Sequence, residues 1–502
     1  MNKKILFFTD GWFINFGVAK YFHENNDFDL YALFDVDDKA KKFFKNQDIV
    51  KYKKIWFLMD FIEKKYQKPD FDYLSSFEEK YNINLWDIAY NDRAFYKYNH
   101  FHQFTDDEIL KVIEQECRLF EQVLDESKPD FLVLMLSTTH YHELLRRLCI
   151  AKGIEVLMLG SARFRNSMMI TNEFGTLDSE EDKKILDSIP KLENPEEFLK
   201  KYDAAKQQEE FVYSQFQSHT FERYLSILKF FLSGRTKTYK NRYGNYGRTK
   251  TRVLRHKIFH LFRKKYRGFF INRNFIKKIN RYYPFIYFPL QMEPERVLLI
   301  SSKYYNNQIA VITNIAKSIP VGYKLLVKEH PTQKIWGWRS VDFYKQIMNL
   351  PNVRLIHPSI KGEEMLKRCS LVITISGTAA QEAAFYQKPS ITFVDLTYVD
   401  LPSVHKIEKF QDLPNAIKSS LEKEVNKDSA SKYVKVVKKN AFDFNLIGIA
   451  ADFSYRFGFK GPIMDAELPM EKVIKFLKDY ETPINNLSLE HIKKIKNHIK
   501  SK

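Results

Sequence analysis

The chain has 502 residues, 44% hydrophobic and 15% aromatic, enough for two or more domains with their own cores and too apolar for wholesale disorder. Lys and Arg number 81 against 62 Asp and Glu, a net charge of +19. The three cysteines, Cys117, Cys149 and Cys369, share no metal-ligand spacing and form no disulfide framework, which fits a reducing cytosol and excludes a disulfide scaffold.

The opening MNKKILFFTDGWF is too short an apolar run for a signal peptide and reads as the first buried strand of an α/β domain. No later segment reaches the ~18 uninterrupted apolar residues of a membrane span, so a soluble or peripheral protein is expected. KKILFFT runs into a turn at Asp10–Gly11 and then a helical stretch through Phe22. FDLYALFDVDD is a second strand ending in acidic residues, and residues 55–104 are aromatic and irregular. A helix is expected over Asp106–Glu126, with Thr105 as its N-cap and Cys117, Phe120 and Val123 at helical spacing. DFLVLMLST follows as a strand buried on both faces, HYHELLRRLCIAKG as a helix ending at Gly153, and IEVLMLG as a further strand. These give a Rossmann-like domain over 1–175.

Residues 176–283 are expected to form a helical connector. All of the excess charge falls inside it: Arg223 to Arg281 holds 19 Lys/Arg and no Asp or Glu, leaving 62 basic against 62 acidic residues elsewhere. Aromatic and aliphatic side chains interleave with this charge, as in VLRHKIFHLFRKKYRGFF. Such a composition suits the surface of an anionic membrane. An anionic glycan or lipid-linked acceptor and a solvated linker are the other readings; nucleic acid is disfavoured because no recognised binding motif accompanies the charge.

Beyond residue 283 a strand–helix alternation is expected over 284–425, with strands near 296–300, 323–328, 353–356, 371–375 and 390–394. A mostly helical tail follows over 426–502. The fold class is therefore α/β, with two doubly wound domains facing a cleft and the basic insertion between them. In this second domain KLLVKEHP and LVITISGTAAQEAAFYQKPSITFVD each run from an apolar strand into a polar turn. Strand ends of a parallel sheet converge on one crevice. Into it the sequence sends Lys328, Glu329, His330, Ser376, Thr378 and Glu382, although a regular strand would put Lys328 and His330 on one face and Glu329 on the other. Gly377 removes bulk where a helix starts with unpaired N–H groups. A cationic or proton-donating His titrating near neutral pH and small hydroxyls would meet phosphate, and Glu382 would meet ribose hydroxyls. The set suits a nucleotide-activated sugar. Ser376–Thr378 would also serve as an ordinary helix cap and Glu382 as a charge on the helix dipole. His357-Pro358 repeats the His-Pro pair at the next strand end.

His330-Pro331, then Gly377, Thr378, Glu382 and Ala383, then Lys388-Pro389, form a pattern that resembles capsule and surface-polysaccharide biosynthesis proteins. Tyr287–Glu295 and Gln308 add to the resemblance, which covers roughly 284–415. It implies a GT-B-like glycosyltransferase acting at the inner face of the cell membrane and a nucleotide-sugar, in several relatives CMP-linked to an acidic sugar such as Kdo or sialic acid. It implies no cofactor and no metal. The acceptor would be a glycan or a lipid-linked molecule.

The catalytic base stays unassigned. Asp10, at the first strand's end, could deprotonate an acceptor hydroxyl. His140, His142 and Glu143 are alternatives; the H-x-H-E string lacks further ligands for zinc. Arg163 and Arg165 could clamp an anionic acceptor. A teichoic-acid-type CDP-alcohol glycerophosphotransferase, a sugar-nucleotide 2-epimerase and a non-catalytic assembly or export role remain as rival functions.

Overall fold

The computed structural model describes residues 2–63, 67–95, 99–162, 166–173, 240–279, 283–295, 297–457 and 467–501. Arg163, Arg165 and the connector up to residue 239 lie outside the described residues.

The first sheet is built from β1 (Lys4–Thr9), β2 (Asp29–Phe34), β3 (Lys54–Phe57), β4 (Phe131–Met135), β5 (Glu155–Ser161), β6 (Ser167–Thr171) and a short late strand, β13 (Phe442–Asp443). Its order is β13-β6-β5-β4-β1-β2-β3. Strands β1 to β5 run parallel, while β6 pairs antiparallel with β5 and β13 antiparallel with β6. β4 (FLVLM) is buried along its whole length, as a central parallel strand covered on both faces must be. The helix Asp106–Ser127 begins with a full capping box, Thr105 and Glu108 each satisfying the other's backbone N–H. The segment that looked irregular in sequence holds β3 and three helices, Leu58–Phe61, Phe71–Tyr81 and Leu85–Tyr90.

The second sheet contains β7 (Phe285–Pro289), β8 (Lys324–Lys328), β9 (Val353–Ile356), β10 (Leu371–Ile373), β11 (Ser390–Thr392) and β12 (Val404–Lys406) in the order β12-β11-β10-β7-β8-β9. All five pairings are parallel. The chain steps outward from β7 through β8 to β9, then returns to β10 and steps the other way. The order reverses between β7 and β10, and in the first sheet between β1 and β4. These are the switch points at which doubly wound sheets open a crevice beyond the strand ends.

One sequence expectation is corrected here. RVLLISS is not a strand: Val297–Ser301 forms a turn of π-helix, with Leu298 in the domain core. The central strand is the preceding FIYFP, buried between β8 and β10. Only six residues separate the two short apolar runs, and periodicity over five residues cannot separate a buried strand from a buried helical turn.

The tail returns to the first domain. Ile449, Phe453, Val473, Phe476, Ile484 and Leu487 share a core with β1, β2 and the helix Ile14–Asn25. Gly17 permits this contact, since a Cβ there would stand 2.9 Å from Ile484 Cδ1. Another core cluster runs from first-domain residues such as Phe8 and Tyr141 to Ala380, Tyr398 and Tyr433.

The basic block contributes the helix Lys250–Asn274, which buries only Ile271. The segment before it docks on the first domain: Arg242 pairs with Asp35 and Asp37, and Tyr243 and Tyr246 are buried in that domain's core. The helix itself reaches the second domain, where Arg267 Nη1 donates to the carbonyls of Gly337 and Trp338. Among the described residues no helix is long and apolar enough to cross a membrane.

Candidate nucleotide-sugar site

Beyond the C-terminal ends of β7, β8 and β10 come Gln291, His330 and the turn Thr374–Thr378, so the topology brings these residues to one switch point. Gln291 organises them. Its backbone N–H donates to Gln308 Oε1 at 2.8 Å, and its side-chain amide donates to Thr374 Oγ1 at 3.0 Å. Thr374 Oγ1 in turn accepts the Gly377 N–H at 3.1 Å, and Ser376 Oγ sits 3.5 Å from Gln291 Oε1. Gly377 is required by space: a Cβ would fall 2.6 Å from Thr374 Oγ1 and 2.8 Å from Gln291 Nε2. Tyr398 braces the turn from outside by donating to the Gly377 carbonyl at 2.8 Å.

His330 is half-buried at the start of a 3-10 turn. Its Nδ1 accepts from the Thr332 backbone N–H at 3.3 Å and lies 2.6 Å from Thr332 Oγ1. An amide can only donate, so Nδ1 is the acceptor and the ring proton sits on Nε2. Among the described residues Nε2 has no protein partner, which leaves it as a donor for a ligand oxygen. Burial first, then Lys328 and Arg339, push the imidazole down to about 4. The sequence expectation of a histidine titrating near neutrality is therefore corrected: His330 is a neutral hydrogen-bond donor, and the positive charge comes from Lys328. That ammonium is buried and, among the described residues, unpaired; burial pulls it down to about 8 against the opposing effect of Glu329.

Glu329 belongs to the scaffold. It accepts from Arg339 Nε at 2.9 Å and from Tyr344 OH at 2.6 Å. Arg339 also pairs with Glu293 and donates to the Gln291 carbonyl, so an ion-pair network fixes the β7 and β8 ends together. Sequence reading missed Arg339 as part of the site, because a lone Arg carries no motif; Gln291, within Tyr287–Glu295, and Gln308 were noted only through the resemblance. Glu382 accepts from Thr378 Oγ1 at 2.7 Å, one helical turn into Ala379–Phe385. His357 stands apart from this set, its Nε2 against Asn272 Oδ1 at 2.8 Å and its Nδ1 against Ser359.

At the switch point of the first domain the base candidates separate. Asp10 is half-buried just past β1, with Oδ1 accepting the Trp12 N–H at 3.0 Å. Burial raises its pKa to about 6, with Asp35 adding to the effect. His140 is fully buried, Nδ1 against Asp92 at 2.7 Å and Nε2 against Glu116 at 2.7 Å, with Tyr243 also donating to Asp92. Burial would lower its pKa, yet the two carboxylates lift it to about 9, so both nitrogens are protonated and neither faces a substrate. Glu143 is buried against Arg146, Arg147 and Ser137; the two guanidinium groups outweigh burial and bring it to about 2. Neither His140 nor Glu143 is poised to take a proton, a correction that leaves Asp10 and His142, of which Asp10 is partly exposed and His142 buried. His140, His142 and Glu143 also point to separate partners, with His142 Nδ1 3.0 Å from Thr139 Oγ1, and do not converge on a metal.

Two doubly wound α/β domains in one chain, each with polar residues at its switch point, define a GT-B-like architecture. Within that class, residues 181–400 match the model of the family described as capsule polysaccharide biosynthesis protein, which bears out the resemblance carried by His330-Pro331 and the Gly377–Glu382 turn. No curated protein matches the chain significantly. Similar solved structures include KpsC of Thermosulfurimonas dismutans, a beta Kdo 2,7 transferase, at 12% identity over 71% of this chain and 87% of that one, TM-score 0.32. The UDP-GlcNAc 2-epimerase of Neisseria meningitidis bound to UDP-GlcNAc is 12% identical over 88% of this chain and 98% of that one, TM-score 0.27. Anabaena Alr3699/HepE in complex with UDP-glucose is 10% identical over 90% of this chain and 98% of that one, TM-score 0.24. Likenesses this low carry no argument about substrate or reaction.

Proposed function

We propose that the protein is a glycosyltransferase of capsular-type polysaccharide synthesis that takes a nucleotide-activated sugar in the second-domain crevice. The observation that carries this reading is the pairing of His330 Nε2, an unpartnered donor of fixed tautomer, with the glycine-requiring turn at Gly377 on the same switch point. Lys328 and His330 would stabilise the departing nucleotide phosphate, help placed where negative charge develops. Glu382 would hold ribose hydroxyls. Asp10 would take the acceptor's proton. The family match supports the class of process, and a CMP-linked acidic sugar is the proposed substrate within it. The exposed basic and aromatic helix Lys250–Asn274 supports peripheral attachment to the cytoplasmic face of the membrane.

A melting-temperature screen of the whole chain against CMP, CDP, UDP, GDP and ADP tests the proposal, with His330→Ala beside it. A ligand at ~100 times its Kd stabilises a fold by about 2.7 kcal/mol, which such a screen detects. We expect CMP to raise the melting temperature of the wild type and to do so far less in His330→Ala. A preference for UDP would transfer the reading to neutral-sugar transfer or epimerisation. Silence from every nucleotide at millimolar concentration would overturn donor binding.

A further inference from the structure

The basic helix Lys250–Asn274 presents three different faces. Arg267 and His260 turn toward the second domain, where His260 Nε2 lies 3.2 Å from the Trp336 carbonyl. Leu254, Ile258, Leu261, Phe262, Tyr266 and Phe269, at helical spacing, form an exposed apolar stripe. Between them a third face closes a pocket of about 660 Å³ against the loop carrying His100 and Phe101 of the first domain.

The lining of this pocket holds no acidic group: three guanidinium groups, Arg252, Arg255 and Arg263, stand with the imidazoles of His100 and His256, and Phe101 and Phe259 form aromatic walls. The imidazoles of His100 and His256 stack at 4.9 Å, and Arg248 stands over the Phe101 ring at 5.0 Å. Among the described residues no carboxylate pairs with Arg252, Arg255 or Arg263, and neither ring of the stacked pair has a hydrogen-bond partner. Elsewhere in the described chain the guanidinium groups of Arg118, Arg146, Arg147, Arg242, Arg339 and Arg456 are all ion-paired. Three unneutralised guanidinium groups around one cavity repel each other and gain from an anion placed among them. The histidines register the same field. Burial first, then the surrounding cations Arg263, His260, Arg248 and Arg267, hold His100 below its usual value, and His256 is lowered in the same way.

We infer that this pocket is a phosphate-binding site, formed by Arg252, Arg255, Arg263, His100 and His256, that receives a phosphate or diphosphate group at the height of the membrane headgroups. Arginine forks match phosphate oxygens in pairs, and stacked neutral imidazoles add N–H donors at the wall. The height follows from the stripe: if Leu261, Phe262 and Phe269 enter the interface, the adjoining face of the same helix lies at the headgroup level. The pocket shares no lining residue with the crevice at β7, β8 and β10, so it is an addition to the proposed sugar-nucleotide site and does not depend on it. The phosphate could come from a lipid headgroup or from a soluble phosphorylated molecule.

The test uses the full chain carrying His330→Ala, which removes one of the crevice's proposed phosphate contacts, and inorganic pyrophosphate as the probe in calorimetry. We expect saturable one-site binding that the double substitution Arg255→Glu/Arg263→Glu weakens about tenfold or more. Lys257→Glu/Lys265→Glu, on the same helix but outside the pocket, should change it by about twofold at most. All four positions are exposed, so the variants keep the fold, and an unchanged melting temperature checks this. Equal weakening by both pairs would reduce the effect to the general field of the helix and overturn the site, as would no binding at millimolar pyrophosphate. Vesicles containing phosphatidic acid then separate the sources. Competition between pyrophosphate and the vesicles assigns the pocket to a lipid phosphate, and simultaneous binding assigns it to a soluble one.

Discussion

At the scale of single residues, three acidic or basic groups near one switch point carry protons with very different affinities. Glu143 at about 2 and His140 at about 9 are each fixed in one charge state across the neutral range. Asp10 at about 6 is the group that can change. A base with a raised pKa is the stronger proton acceptor, provided it is ionised at the working pH. If Asp10 is the base of the proposed transfer, its acid form is inactive, so activity should fall about tenfold for each pH unit below about 6 and level off above it. Asp10→Asn should lower kcat by roughly 10²–10⁴ and remove that acidic limb. Its melting temperature should hold or rise, since an amide is cheaper to bury than a carboxylate facing Asp35. A pH profile of kcat/KM for both proteins checks this, and an acidic limb surviving in Asp10→Asn would exclude it as the base.

At the scale of elements, legibility followed the length of the apolar pattern. β4, the helix Asp106–Ser127 and its Thr105 cap could be read directly, because their periodicity runs over enough residues to select one structure. FIYFP against RVLLISS could not, since burial on both faces erases the alternation that marks a strand. The site divides the same way. His330 and Gly377 announce themselves through Pro331 and the strand–turn–helix pattern, whereas Gln291 and Arg339 act through partners on other elements, Thr374 and Glu329, that no local motif ties to them. The basic helix shows a related limit. Its charge was plain in sequence, but which face stays exposed depends on Arg267 and Ile271 docking to the second domain. That docking leaves Leu261 and Phe262 outward, at 62% and 68% exposure. Burying such side chains in an interface contributes about 1.5–3 kcal/mol each. Leu261→Glu/Phe262→Glu should therefore weaken cosedimentation with anionic vesicles by about tenfold or more. Added salt should weaken the wild type as well, through the Lys and Arg that flank the stripe. Vesicle binding that withstands the double substitution would place the contact elsewhere.

At the scale of the whole molecule, the segment from Arg242 to Asn274 acts as a brace. One end is pinned in the first domain by the Arg242 guanidinium on Asp35 and Asp37 and by Tyr243 on Asp92; the other packs Ile271 into the second-domain core. Asp35 also accepts from Tyr141 at 2.7 Å. Burial opposes its charge, but Arg242 outweighs burial and holds Asp35 below its ordinary value of 3.8. A depressed carboxylate stabilises the fold above its unfolded pKa and loses that contribution as pH falls through the folded one. Arg242→Met would take the guanidinium away from the buried carboxylates of Asp35 and Asp37, and breaking a buried pair costs about 3 kcal/mol or more. We expect the variant to unfold at markedly lower urea than the wild type at pH 7. The gap should begin to close below about pH 4, where the unfolded chain takes up protons and the wild type loses the advantage of the pair. A gap independent of pH would show that Arg242 braces the domains through packing of its side chain alone, with Asp35 and Asp37 solvated in some other way.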